Sequence, residues 1–155
     1  MKYVDTQVVF EEIPDEITLC VNISNCGFHC QECHSKHLWD DIGDELDKVS
    51  IDKLLSKNKG ISCICFMGHG KPSGWIEMKE FAKYIKETNK GMKVALFSGN
   101  NELPLNELQE FDYIKTGPYN PELGPLNSPT TNQRMFKHVG ENKWEDITKY
   151  YQTKK

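Results

Sequence analysis

The run Ile61-Ser-Cys-Ile-Cys-Phe-Met67 is apolar at nearly every position. A strand with one wet face alternates apolar and polar residues, so a continuous run fits a strand covered on both faces, as in a parallel sheet. Three further segments read as strands. Ile17-Thr-Leu-Cys-Val-Asn-Ile23 alternates and is β-branched, Lys93-Val-Ala-Leu-Phe-Ser98 ends at Gly99, and Phe111-Asp-Tyr-Ile-Lys-Thr116 ends at Gly117-Pro118. Helical patterns lie between them. Ser50 is placed to cap a short helix carrying Ile51, Leu54 and Leu55, which Gly60 ends. Met78, Phe81, Ala82 and Ile85 then recur at i, i+3, i+4 and i+7, with Lys79, Glu80, Lys83 and Lys86 on the opposite face. A short helix is expected around 105–108.

Strands alternating with helices predict βαβ units and an α/β fold built on a parallel sheet. Beyond Pro118 the chain reads as mostly irregular, with some strand near 144–148. Ligands of such sheets bind at the carboxyl ends of the strands. Four loops follow strands and would converge there: the one after Ile23, the glycine-rich stretch 68–74, Ser98-Gly99 and Thr116-Gly117.

The chain has 155 residues, 37% of them hydrophobic and 27% charged, which suits one domain with its own core. We read residues 1–155 as a single domain, with a core about 17–119 and a C-terminal extension 120–155. The net charge is −4, and 18 lysines accompany a single arginine, Arg134, so no basic stripe points to nucleic acid. No apolar run reaches membrane-spanning length, and the first residues, MKYVDTQVVFEEIPDE, are too acidic and polar for a secretion signal. A cytoplasmic location is expected, with no membrane and no nucleic-acid partner.

Six cysteines in such a chain are not expected to form a disulfide framework. Cys20, Cys63 and Cys65 fall in the strand segments and read as buried thiols. The other three form Cys26-Gly-Phe-His-Cys30-Gln-Glu-Cys33, a C-x3-C-x2-C arrangement directly after the first strand. Asn25 and Gly27 argue against a regular helix there. Three readings compete. Structural zinc would take the three thiolates and His29, His34 or His37. An electron-transfer cluster would need a fourth thiolate, and the common C-x2-C-x2-C-x3-C run is absent. A 4Fe–4S cluster held by three thiolates would leave one iron open to a ligand, which is a chemical rather than a storage arrangement.

The C-x3-C-x2-C spacing after a first strand resembles the radical S-adenosylmethionine (radical SAM) superfamily. The stretches Cys33-His-Ser-Lys-His-Leu-Trp39, Cys63-Ile-Cys-Phe-Met67, Phe97-Ser-Gly99, Phe111-Asp-Tyr-Ile-Lys-Thr-Gly-Pro-Tyr119 and Ser128-Pro-Thr-Thr-Asn-Gln-Arg134-Met extend the likeness. Together they resemble the activating proteins of anaerobic (class III) ribonucleotide reductase, over most of the chain up to Arg134. The resemblance implies an open partial (β/α) barrel of parallel strands. It implies a 4Fe–4S cluster on Cys26, Cys30 and Cys33, and S-adenosyl-L-methionine held near Gly68, His69, Gly70, Ser98, Gly99, Thr116 and Gly117. It implies an oxidoreductase that cleaves S-adenosylmethionine reductively and takes a hydrogen from a glycine of the reductase, leaving a glycyl radical. No side chain is assigned as catalytic. A flavodoxin- or ferredoxin-type protein would donate the electron.

Two departures mark the chain. The family carries Gly-Gly-Asp/Glu after its second strand, where this chain has Gly68-His69-Gly70. Glu32 stands before the third cysteine, where many radical SAM proteins have an aromatic residue. The first departure leaves a non-catalytic zinc- or cluster-binding adaptor as the alternative, beside an activase of another glycyl-radical enzyme. Arg134 is a candidate contact to the partner or to a carboxylate.

Overall fold

The computed structural model describes residues 2–10, 12–23, 43–67, 72–99, 103–118 and 120–153, without the side chains of 72–74 and 153. The described strands are β1 (Lys2–Val9), β2 (Thr18–Ile23), β3 (Asp44–Glu45), β4 (Cys63–Met67), β5 (Lys93–Phe97), β6 (Tyr113–Thr116), β7 (Arg134–Gly140) and β8 (Lys143–Asp146). Three helices accompany them: α1 (Lys48–Lys57), α2 (Pro72–Thr88) and α3 (Thr148–Thr153). All eight strands form one sheet in the order β3-β1-β2-β4-β5-β6-β7-β8.

This sheet corrects the expected fold. The pairings β2–β4, β4–β5 and β5–β6 are parallel, but β1–β2, β1–β3, β6–β7 and β7–β8 are antiparallel. The chain is therefore a mixed, mostly β structure with short helices, not an open partial barrel of parallel strands. The expectation failed at the flanks. β1 carries Lys2, Asp5 and Gln7 and has no fully buried residue, so its hydrophobic pattern is faint. β7 buries only Met135. Strand β7 also lies in the part read as mostly irregular, whereas β8 falls where some strand was expected, near 144–148. Between β5 and β6 the described chain has a single 3-10 turn, Leu105–Glu107, where a βαβ unit would place a helix.

The four strands read from sequence are present and mutually parallel. Cys63–Met67 is buried at four of its five positions, as its composition requires. One face of the sheet, with Leu19, Val21, Ile64, Phe66, Val94, Leu96 and Ile114, packs against α1 and α2. Helix α2 presents Met78, Phe81, Ala82 and Ile85 to it, all buried, and Lys86 on its other face pairs with Asp112 at 2.8 Å. Helix α1 is capped by Asp47 rather than by Ser50. The Asp47 carboxylate accepts from the Ser50 backbone N–H at 2.8 Å, and the Ser50 hydroxyl accepts from the Asp47 N–H at 2.8 Å. Ser50 is thus the third residue of a capping box.

The opposite face carries Cys20, Cys63, Cys65, Ala95, Phe97, Tyr113 and Met135, covered by Ile13 and Leu126, with Tyr151 of α3 packed against them. No described helix is long and apolar enough to cross a membrane.

Candidate functional site at the carboxyl edge of the parallel strands

Register places the ends of the parallel strands side by side. Asn22 pairs with Met67, Met67 with Phe97, Phe97 with Lys115, and Lys115 with Met135 of the antiparallel β7. The chain leaves toward Cys26 after Ile23 and toward Gly68 after Met67, both at this edge. Cys26, Cys30, Cys33, Gly68, His69 and Gly70 themselves lie outside the described residues.

The remaining sequence-derived residues are brought together. Ser98 follows β5 and is buried, and its backbone N–H donates to the Lys115 carbonyl at 2.9 Å. This bond sets Ser98-Gly99 beside the end of β6. Thr116, also buried, is the last residue of β6, and Gly117 follows with φ +99°, a left-handed conformation that glycine adopts without a Cβ clash. The polar residues before β7 hold this turn. The Asn132 amide donates to the Pro118 carbonyl at 3.1 Å, and the Gln133 amide donates to the Gly117 carbonyl at 3.3 Å. Gln133 is 5% exposed, and its Oε1 is a buried acceptor with no partner among the described residues. Arg134 lies outside this arrangement: it is half-exposed, with Nη1 3.7 Å from Asp146 Oδ2 on β8.

A cavity of about 290 Å³ opens next to this edge, on the sheet face opposite α1 and α2. Phe97, Lys115, Leu126 and Met135 line it, with Glu12 and Tyr151. The Lys115 ammonium stands 5.1 Å from the centre of the Phe97 ring. Burial lowers its pKa from 10.5, against the opposing pull of Cys65, Glu12 and Cys20. The Tyr151 hydroxyl donates to the Glu12 backbone carbonyl at 2.7 Å, tying α3 to the loop after β1. Sequence reasoning gave these residues no role. The one available signal was a lysine inside the strand Tyr113–Thr116, at a position whose strand neighbours are buried.

The same sheet face carries three free thiols. Cys20 and Cys65 are register partners on β2 and β4, and Cys63 sits two residues earlier on the same face. Burial pushes the Cys63 thiol up to about 12 and raises Cys65 as well. The Cys65 S–H donates to the Phe66 backbone carbonyl at 4.0 Å, and the side chain of Cys65 beside it lowers Cys20. Buried thiols of this kind are inert packing groups. Among the described residues no group of three or more His, Cys, Asp or Glu is placed to hold a metal ion.

No family model, no curated protein and no solved structure matches the chain.

Proposed function

We propose that this chain is a cytoplasmic radical SAM activase that installs a glycyl radical on anaerobic ribonucleoside-triphosphate reductase. The observation that carries the reading is one of placement. Strand β2 ends at Ile23, three residues before the C-x3-C-x2-C motif in sequence, at the same sheet edge that gathers Ser98-Gly99 and Thr116-Gly117. In this reading Cys26, Cys30 and Cys33 hold a 4Fe–4S cluster, and the strand-end residues together with Gly68, His69 and Gly70 hold S-adenosylmethionine.

The described part of the edge fits such a ligand. The buried Oε1 of Gln133 lacks a donor, and an adenine exocyclic amine is one. Gly117 has no Cβ to stand in the way of a close backbone approach. When bound, the cluster supplies a strongly reducing electron, drawn from a flavodoxin- or ferredoxin-type donor, for reductive cleavage of the sulfonium. The protein's part is to seat the ligand against the sheet edge and to exclude water from the reacting carbon.

The experiment is anaerobic purification of the chain with iron, sulfide and zinc analysis and a visible spectrum. Iron and sulfide in near-equal amounts, a brown chromophore, and 5′-deoxyadenosine with methionine on adding dithionite and S-adenosylmethionine support the reading. A glycyl-radical electron paramagnetic resonance signal on added reductase identifies the partner. The same products with a signal on a different glycyl-radical enzyme move the assignment to that enzyme. A colourless zinc protein overturns the proposal in favour of a zinc-binding adaptor. A cluster that cleaves nothing with the reductase present favours a cluster-binding adaptor.

A further inference from the structure

We propose that the cavity beside Lys115 binds a small zwitterionic amino acid with an unbranched or branched apolar side chain, with Lys115 taking its carboxylate and Glu12 its ammonium. The site is distinct from the strand-end residues assigned above, none of which lines it, and the inference stands whether or not the activase reading holds.

Size comes first. Ligand pockets begin at about 300 Å³, and this one holds about 290 Å³. That is room for one amino acid.

Charge comes next. Lys115 and Glu12 line the same cavity, and neither makes an ion pair within 4.0 Å among the described residues. A partly desolvated cation with no carboxylate against it is unfavourable, and a ligand carboxylate relieves that cost. Glu12 then decides what kind of anion enters. Its negative charge repels a dianion such as phosphate and attracts a ligand ammonium. A molecule bearing both charges on one carbon satisfies both groups.

The walls complete the description. Phe97, Leu126 and Met135 are apolar and mostly buried, and they give an aliphatic side chain a dry surface. Phe97 and Met135 flank Lys115 in register on the neighbouring strands, so the ammonium is held between two fixed residues rather than on a loop. The cation–π contact with Phe97 further restricts it.

The test uses the anaerobically purified full chain and L-norleucine as the probe, read by isothermal titration calorimetry and saturation-transfer NMR. Hexanoate, hexylamine and inorganic phosphate are the comparators. L-norleucine is expected to bind with a Kd of about 1 mM or tighter. Lys115→Met and Glu12→Gln should each weaken it about tenfold or more. Hexanoate and hexylamine should bind more weakly, and phosphate should not compete. No binding of L-norleucine to the wild-type chain, equal binding by both variants, or competition by phosphate would each overturn the proposal. A crystal structure of the wild-type chain grown with L-norleucine gives an answer that needs no variant to fold. Density between Lys115 and Glu12 supports the site, and density only elsewhere overturns it. Cluster content and S-adenosylmethionine cleavage, measured on the same preparation, report on the activase reading separately.

Discussion

Ile23 and Asp44 flank the same residue, Tyr3, from opposite sides of β1. Adjacent strands lie about 4.8 Å apart, so Ile23 and Asp44, on the two strands that flank β1, stand roughly 10 Å apart. Both ends of the cysteine-bearing segment are therefore fixed to β1. The return is tight. Gly43 has φ +107°, and a Cβ on it would stand 2.2 Å from the Tyr3 carbonyl oxygen. Gly43→Ala should destabilise the fold by about 1–3 kcal/mol through the left-handed backbone and the clash. It should also lower the iron bound per chain after anaerobic reconstitution. Urea unfolding and iron analysis check the two effects. Unchanged stability would mean that β3 is not held against β1 as described.

Phe66 is the centre of the face beneath α1 and α2. It is fully buried on the central strand β4, and its ring lies 6.3 Å from that of Phe81 on α2. Phe66→Ala removes the ring and leaves a void between strand and helix, at a cost of about 3–5 kcal/mol. Phe66→Leu should recover more than half of that loss, because most of the volume returns. Equilibrium denaturation of the two variants measures both values.

The parts of this fold legible in the sequence are those with a strong local pattern. Cys63–Met67 could only be a doubly covered strand, and Met78, Phe81, Ala82 and Ile85 could only face a core. Ser98 and Thr116 were found as candidates because parallel strands must end at a common edge. The flanking strands were hidden because antiparallel edge pairing tolerates polar residues. In β7, Arg134, Lys137 and Val139 are exposed and the pattern no longer discriminates. The cap of α1 was misplaced by three residues because Asp47 and Ser50 are both good cap residues and only their reciprocal hydrogen bonds decide between them. The cavity was not legible at all, since Glu12, Lys115, Met135 and Tyr151 meet only through the fold.

Stability should fall in alkali, and the buried thiols set the window. Burial first, and nearby acids second, hold the Cys63 thiol at about 12 against 9.0 when exposed. Tyr113 is held at about 12 against 10.0, again chiefly by burial. Each of these groups has a folded pKa above its unfolded one. Its contribution is therefore fully present below the unfolded value and is lost as pH rises through the folded one. Lys115 runs the other way, because its folded pKa is lowered and the cost of charging it vanishes as pH rises. Cys20, also lowered, acts with Lys115, but the raised thiols of Cys63 and Cys65 and phenols of Tyr113 and Tyr151 outnumber them. The urea midpoint should decline from about pH 9 to pH 12, with Cys63 alone worth up to about 4 kcal/mol across that range. Cys63→Ala should flatten the decline. A midpoint that stays level to pH 12 in the wild-type chain would contradict the burial of these groups.

The six cysteines should divide cleanly by function. Cys26, Cys30 and Cys33 are the proposed cluster ligands. Cys20, Cys63 and Cys65 are packed between Ile13, Ala95 and Tyr113 on the sheet face and are free thiols. Changing any one of the first three to Ala should abolish iron–sulfur loading. Cys65→Ala should do the reverse. It removes a fully buried sulfur and its contact with the Phe66 carbonyl, costing about 1–2 kcal/mol while the iron bound per chain stays at the wild-type level. Iron analysis and denaturation of the two sets of variants separate the roles. Loss of iron in Cys65→Ala with the fold intact would make a core thiol a ligand, and the three-cysteine assignment would then fail.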